Sequence, residues 1–200
     1  MPQISLLALD LEGTLISNAI SQIPRPGLSS FLISCRALFP RIVMYTTVSE
    51  ARFRAIARLL VSEGEAPDWF AELEVVDWNG QTKDLALIPS AALEDCLLVD
   101  DFEGYVHRGQ REQWVRVACF SHPYVTSDRE LENTLHELRH RINHSRIATP
   151  AGDSWHNWFD AKRMAPDFML QHEQPADEER NPAWKTEKTD QAKGGPLKRR

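Results

Sequence analysis

Two short apolar runs, each ending in carboxylates, constrain this chain more than any other feature. Ile4-Ser5-Leu6-Leu7-Ala8-Leu9 has the length and composition of a buried strand and runs directly into Asp10-Leu11-Glu12-Gly13-Thr14-Leu15. Cys96-Leu97-Leu98-Val99 is a second such run and ends in Asp100-Asp101. Ligands of open α/β sheets bind outside the C-terminal ends of the strands, so these acids stand where chemistry is done rather than where the core packs. Gly13 allows a sharp turn after Asp10 and Glu12. Two carboxylates around one turn suit a nucleophile with a general acid/base, or a magnesium site. Bringing the acids of both strands together is costly unless a cation neutralises them. Oxygen ligands favour Mg²⁺ over zinc.

Two further points lie between these runs. Arg41-Ile42-Val43-Met44-Tyr45-Thr46-Thr47 reads as a third buried strand, ending in hydroxyls that can donate to a phosphate oxygen. Lys83 is the only lysine before residue 150 in a chain that otherwise uses arginine there. A compact ammonium suits a point charge on a phosphate better than a planar fork does. The pattern predicts strands at 4–9, 41–46, 73–77, 96–100 and 115–119. It predicts helices at 27–38, 49–63, 84–88, 101–107 and 127–144. Phe53, Ile56, Ala57 and Leu60 form a core-facing stripe on the second helix. Ser127-Asp128-Arg129-Glu130 reads as a capping box for the last, which carries Leu131, Leu135, Leu138 and Ile142. Trp78-Asn79-Gly80-Gln81 suggests a hairpin turn before Lys83. Strands alternating with helices predict a three-layer, doubly wound, mostly parallel α/β fold.

The elements in order are Asp-x-Glu-Gly-Thr, a strand-end Thr, a Lys and a strand-end Asp-Asp. That order resembles the haloacid dehalogenase superfamily, whose Rossmann-like fold it implies. Pro24-Arg25-Pro26-Gly27-Leu28, Val43-Met44-Tyr45-Thr46-Thr47, Val76 to Leu85 around Lys83, and Leu98-Val99-Asp100-Asp101 are similar to the small C-terminal-domain phosphatases and NLI-interacting-factor-like proteins. The resemblance covers about residues 4 to 142. It implies a Mg²⁺-dependent phosphomonoester hydrolase with Asp10 as nucleophile and Glu12 as acid/base. Thr46 and Lys83 would bind phosphate. Mg²⁺ would be held by Asp10, the backbone carbonyl of Glu12 and Asp101, with Asp100 orienting Lys83 or a metal-bound water. Arg25 and Thr47 are weaker candidates for substrate contact. That family usually has Asp where this chain has Glu12 and Glu where it has Gly13. The departure keeps a non-catalytic, phosphate-binding regulatory role as an alternative.

About 36 residues separate Asp10 from Thr46 and about 37 separate Thr46 from Lys83, which leaves little room for an inserted cap. A capless site admits a phosphate carried on a macromolecule, so a phosphorylated Ser or Thr of a protein is the expected substrate. A nucleic-acid end or a small phosphate ester is the other reading. All of the net charge of −6 falls in residues 1–149, which argues against a dedicated nucleic-acid binder. No apolar stretch has the length of a membrane span. Cys35, Cys96 and Cys119, odd in number and beside apolar segments, read as buried reduced thiols, which implies a cytoplasmic setting. His136, His140 and His144 recur every four residues and read as a solvated helix face. A phosphatase domain over 1–147 is therefore expected. A polar tail, 148–200, should be mostly disordered. Within it Trp155, Trp158, Phe159, Phe168 and Met169 suggest a short docking helix near 153–172, on its own domain or on a partner.

Overall fold

The computed structural model describes residues 4–78 and 80–147, all within one contact unit, Met1–Ala151. The expectations for the tail lie outside the described residues. Apolar runs of four or five residues with both faces buried make parallel strands, and the described residues hold five. They are β1 (Leu6–Leu9), β2 (Arg41–Met44), β3 (Glu74–Val75), β4 (Cys96–Asp100) and β5 (Trp114–Arg116). The sheet order is β3-β2-β1-β4-β5 and every pairing is parallel. Leu6 to Leu9 pair with Arg41 to Met44 on one side and with Cys96 to Val99 on the other. The chain winds outward from β1 through β2 to β3, then crosses back to β4 on the other flank of β1. The crevice at such a reversal lies beyond the C-terminal ends of the two central strands, which here are followed by Asp10 and end in Asp100.

The period of two along each strand divides the core between the two faces of the sheet. Leu7, Leu9, Ile42, Met44, Leu97, Val99 and Val115 join one cluster with residues from three helices, α1 (Leu28–Leu38), α2 (Glu50–Ser62) and α3 (Glu130–Ile147). The expected stripe of Phe53, Ile56, Ala57 and Leu60 is the buried face of α2. Full burial of the Phe53, Ile56 and Leu60 side chains contributes about 2 kcal/mol each. Leu6, Ala8, Val43, Tyr45, Cys96, Leu98 and Trp114 face the other way, against Val76, Leu85 and Ile88. No α-helix covers that face among the described residues. The helices expected at 84–88 and 101–107 are single 3-10 turns, Leu85–Leu87 and Glu103–Tyr105. Their apolar positions are too few to lay a helical stripe on the sheet.

Three details differ from the sequence pattern. No strand returns after β3 among the described residues to pair across the expected hairpin turn, and Lys83 instead makes a single parallel bridge with Val106. Asn79, in the centre of that turn, lies outside the described residues. The capping box is not formed. Glu130 N–H is met by Asp128 Oδ1 at 2.9 Å, and the Glu130 carboxylate accepts from Ala118 N–H at 3.0 Å, joining α3 to the chain after β5. Cys35 and Cys96 are buried thiols, but Cys119 is exposed, because β5 ends at Arg116 and only Val117 and Phe120 of the next segment turn inward. No described helix is long and apolar enough to cross a membrane.

Candidate active site

Lys83 is the centre of the site. It is fully buried, and its Nζ donates to Asp10 Oδ1 at 2.6 Å and to Asp100 Oδ2. Its backbone is fixed by Lys83 N–H donating to Tyr105 O at 2.7 Å, and the Tyr105 ring centroid lies 5.4 Å from Nζ. The ammonium thus ties the end of β1 to the end of β4. Trp114 secures the same corner, its indole N–H donating to the carbonyl of Asp100 at 2.8 Å.

Burial is the largest influence on Asp10 and pushes its carboxyl up to about 6; the charge of Asp100 adds to this, while Lys83 opposes it. Asp100 is also raised by burial, against the pull of Lys83. One cation is therefore shared among acids that burial disfavours. Asp10, Asp100 and Asp101 each offer an oxygen, and these atoms lie within 4.8 Å of one another. Three carboxylates around one lysine retain negative charge, and an all-oxygen donor set suits a hard divalent cation such as Mg²⁺. Both Asp100 oxygens already accept hydrogen bonds, Oδ1 from Phe102 N–H at 2.8 Å and Oδ2 from Lys83.

Thr14, absent from the sequence-predicted site residues, belongs to the cluster. Its buried hydroxyl lies 3.2 Å from Asp10 Oδ2 and 3.4 Å from Asp101 Oδ1, joining two acids 91 positions apart. Its place in the hexapeptide, one turn after Asp10, was the available signal. Gly13 has φ +74°, and a Cβ there would come within 2.4 Å of Asp101 Oδ2. A side chain at 13 would occupy the space that the Asp101 carboxylate fills.

Glu12 is half-buried, and Oε1 accepts from Ala19 N–H at 2.6 Å, which draws the carboxyl toward the 17–24 loop. Thr46 is buried after β2, and its oxygen accepts from Val48 N–H at 3.3 Å, leaving the hydroxyl proton to donate. Thr47 is exposed beside it. Arg25 has a different place from the one expected. Only 2% exposed, it donates to the carbonyls of Gly13, Thr14 and Ala118 and pairs with Asp128 at 3.0 Å. The guanidinium is consumed in bracing the Asp10–Thr14 turn against the segment leading into α3, and is not open to a substrate. His136, His140 and His144 are exposed on α3, away from this cluster in the sequence and absent from its acids.

The family model for NLI interacting factor-like phosphatase matches residues 5–147. The chain belongs to that family. Membership in the NLI interacting factor-like phosphatases supports a phosphatase function for the chain, and haloacid-dehalogenase-type phosphatases generally use Mg²⁺. A different likeness is short. Antitoxin VapB of Salmonella typhimurium is 51% identical over 39 residues, 20% of this chain and 52% of the antitoxin. An uncharacterized protein from the traD-traI intergenic region of Escherichia coli and Antitoxin VapB of Shigella flexneri are each 46% identical over 39 residues, again 20% and 52%. The chain thus spans about half the length of the curated relatives it matches.

The Arg25 brace has a measurable consequence in this NLI interacting factor-like domain. Burial, the largest influence on Asp128, would raise it, but the Arg25 and Glu130 N–H bonds together hold its carboxyl below the ordinary value of 3.8. A lowered folded pKa adds stability above the unfolded value and loses it as pH falls through the folded one. Asp128→Asn is therefore expected to lower the urea midpoint at pH 7 and to narrow its gap to wild type below pH 3.8. Equal gaps at pH 7 and pH 3 would show that the carboxylate charge contributes nothing.

Proposed function

We propose that this protein is a Mg²⁺-dependent phosphomonoester hydrolase that works through an aspartyl-phosphate on Asp10. The observation that carries the reading is the buried Lys83 ammonium bonded to Asp10 at a strand end, with Asp101 and Thr14 alongside. An Asp10 oxygen attacks phosphorus, the bond to the leaving oxygen breaks, and Glu12 gives that oxygen its proton. Water then attacks phosphorus, the Asp10–phosphorus bond breaks, and Glu12 takes the water's proton. Oε2 is the Glu12 oxygen left for this, because Oε1 is held by Ala19 N–H. Lys83 and the Thr46 hydroxyl bind the equatorial oxygens, where charge stabilisation matters most in phosphoryl transfer. Asp100 positions Lys83. Asp10, the Glu12 carbonyl and Asp101 would hold Mg²⁺, which when bound offsets repulsion between the nucleophile and an anionic ester.

Between Asp10 and Thr46 lie one loop, α1 and β2; between Thr46 and Lys83 lie α2, a 3-10 turn and β3. Nothing among these described elements forms a cap, which supports a phosphate presented on a protein, Ser or Thr in type; the free thiols Cys35, Cys96 and Cys119 favour a reducing, cytoplasmic setting. The test is hydrolysis of p-nitrophenyl phosphate with and without Mg²⁺. Turnover should need the cation, vanish in Asp10→Asn, and fall about 10²–10⁴-fold in Glu12→Gln. Folded protein that binds Mg²⁺ without turnover would support the phosphate-binding regulatory role instead.

A second reading concerns the tail, and the antitoxin likeness favours it. The family model takes residues 5–147, and an antitoxin of which 39 residues are 52% is far shorter than that domain. We infer that the shared segment lies in residues 148–200, around Trp155, Trp158, Phe159, Phe168 and Met169, and that it binds a partner protein rather than its own domain. The partner would be a toxin of the kind such an antitoxin pairs with. Full-length protein should retain the toxin partner of the Salmonella typhimurium antitoxin in co-purification, and a chain ending at residue 147 should not. Equal retention by both would remove the tail from the interaction.

A further inference from the structure

Phe102 follows Asp101 directly and is 55% exposed, yet its position is fixed. Its N–H donates to Asp100, and its ring meets Tyr105 edge-on, with centroids 5.0 Å apart at 74°. The ring also lies across Gly104, where a Cβ would come within 2.4 Å of a ring carbon. Tyr105 in turn meets Trp78 at 5.2 Å and 72°, and presents its ring to the Lys83 ammonium. A row of rings therefore begins at the buried lysine and ends in one exposed ring. Single exposed apolar side chains are ordinary on protein surfaces. This one is distinguished by a glycine that makes room for it and by ring contacts leading to the charged centre.

We propose that Phe102 determines specificity by receiving an aromatic side chain next to the phosphorylated residue of a protein substrate. The inference rests on the phosphatase reading and deepens it. Aromatic pairs favour offset or edge-to-face contacts, which an exposed ring backed by Tyr105 is ready to make. The acidic domain disfavours the other flat ligand, a nucleobase carrying further phosphates.

The experiment compares two phosphoserine peptides, one with Phe and one with Ala on each side of the phosphoserine, and a nucleoside monophosphate. The full-length chain should favour the Phe peptide about tenfold in kcat/KM, with KM carrying the difference. Phe102→Ala should abolish the preference, Phe102→Tyr should retain it, and Gly104→Ala should weaken it by displacing the ring. Equal use of both peptides by wild type, equal slowing of both by Phe102→Ala, or preference for the nucleotide would overturn the proposal. Should even p-nitrophenyl phosphate resist hydrolysis, the catalytic reading fails separately. The same two peptides, titrated as ligands of wild type and Phe102→Ala, then still decide whether the ring discriminates.

Discussion

Lys83→Met is expected to reduce turnover by about three orders of magnitude and to destabilise the domain by about 3–5 kcal/mol near pH 8 without divalent cation. Lys83 is fully buried and bonded to two carboxylates that burial already raises. Removing it leaves both acids in a poorly solvating site with no cation among the described residues to replace it. The sign of the pH dependence follows from those raised values. An acid whose folded pKa exceeds its unfolded one favours the folded state below the unfolded value, and that advantage is lost as pH rises through the folded value. Asp10 rises from 3.8 to about 6 even with Lys83 present, so the deficit of Lys83→Met should widen from pH 5 to pH 8. Urea unfolding at the two pH values measures it. Adding Asp100→Asn removes one of the stranded charges and should recover part of the stability but none of the activity. A deficit independent of pH would mean that packing, and not stranded charge, is what Lys83 supplies.

Gly13→Ala should weaken Mg²⁺ dependence and stability together. The left-handed conformation costs a residue with a Cβ about 1–2 kcal/mol. Relaxation of the turn is opposed by bonds on both sides of it. Gly13 N–H donates to Ile16 O at 2.8 Å, while Gly13 O accepts from Phe120 N–H at 2.7 Å and from Arg25. The added methyl must therefore displace Asp101, whose carboxylate is the nearest atom group to it. The expected result is a rise of about tenfold or more in the Mg²⁺ concentration giving half-maximal turnover, with a lower urea midpoint. A lower midpoint with unchanged Mg²⁺ dependence would separate the turn from the metal site.

Much of this arrangement was legible before any coordinates. β4 matches its expected span because both its faces are buried, so an uninterrupted apolar run marks it. Asp10 and Asp100 could be named because a strand end followed by a charge is a local pattern, and Lys83 because it is the only lysine before residue 150; the sheet order sets the two acids side by side and the buried ammonium bonds to both. Thr14 and Arg25 were less accessible. A threonine one turn from an acid looks like any turn residue until Asp101 arrives beside it. Arg25 sits between two prolines and looks solvated, whereas three carbonyls and Asp128, supplied by distant segments, bury it. The 3-10 turns at Leu85–Leu87 and Glu103–Tyr105 differ from the predicted helices for a related reason. Single apolar residues such as Leu85 can anchor a turn to a sheet without the repeating stripe that a helix requires.

A covalent bond between Asp10 and phosphate is tested most directly by mass spectrometry of protein acid-quenched during turnover with Mg²⁺. A single phosphoryl adduct is expected on the peptide containing Asp10, removed by hydroxylamine and absent from Asp10→Asn. Steady phosphate release with no adduct, together with turnover by Asp10→Asn, would contradict it.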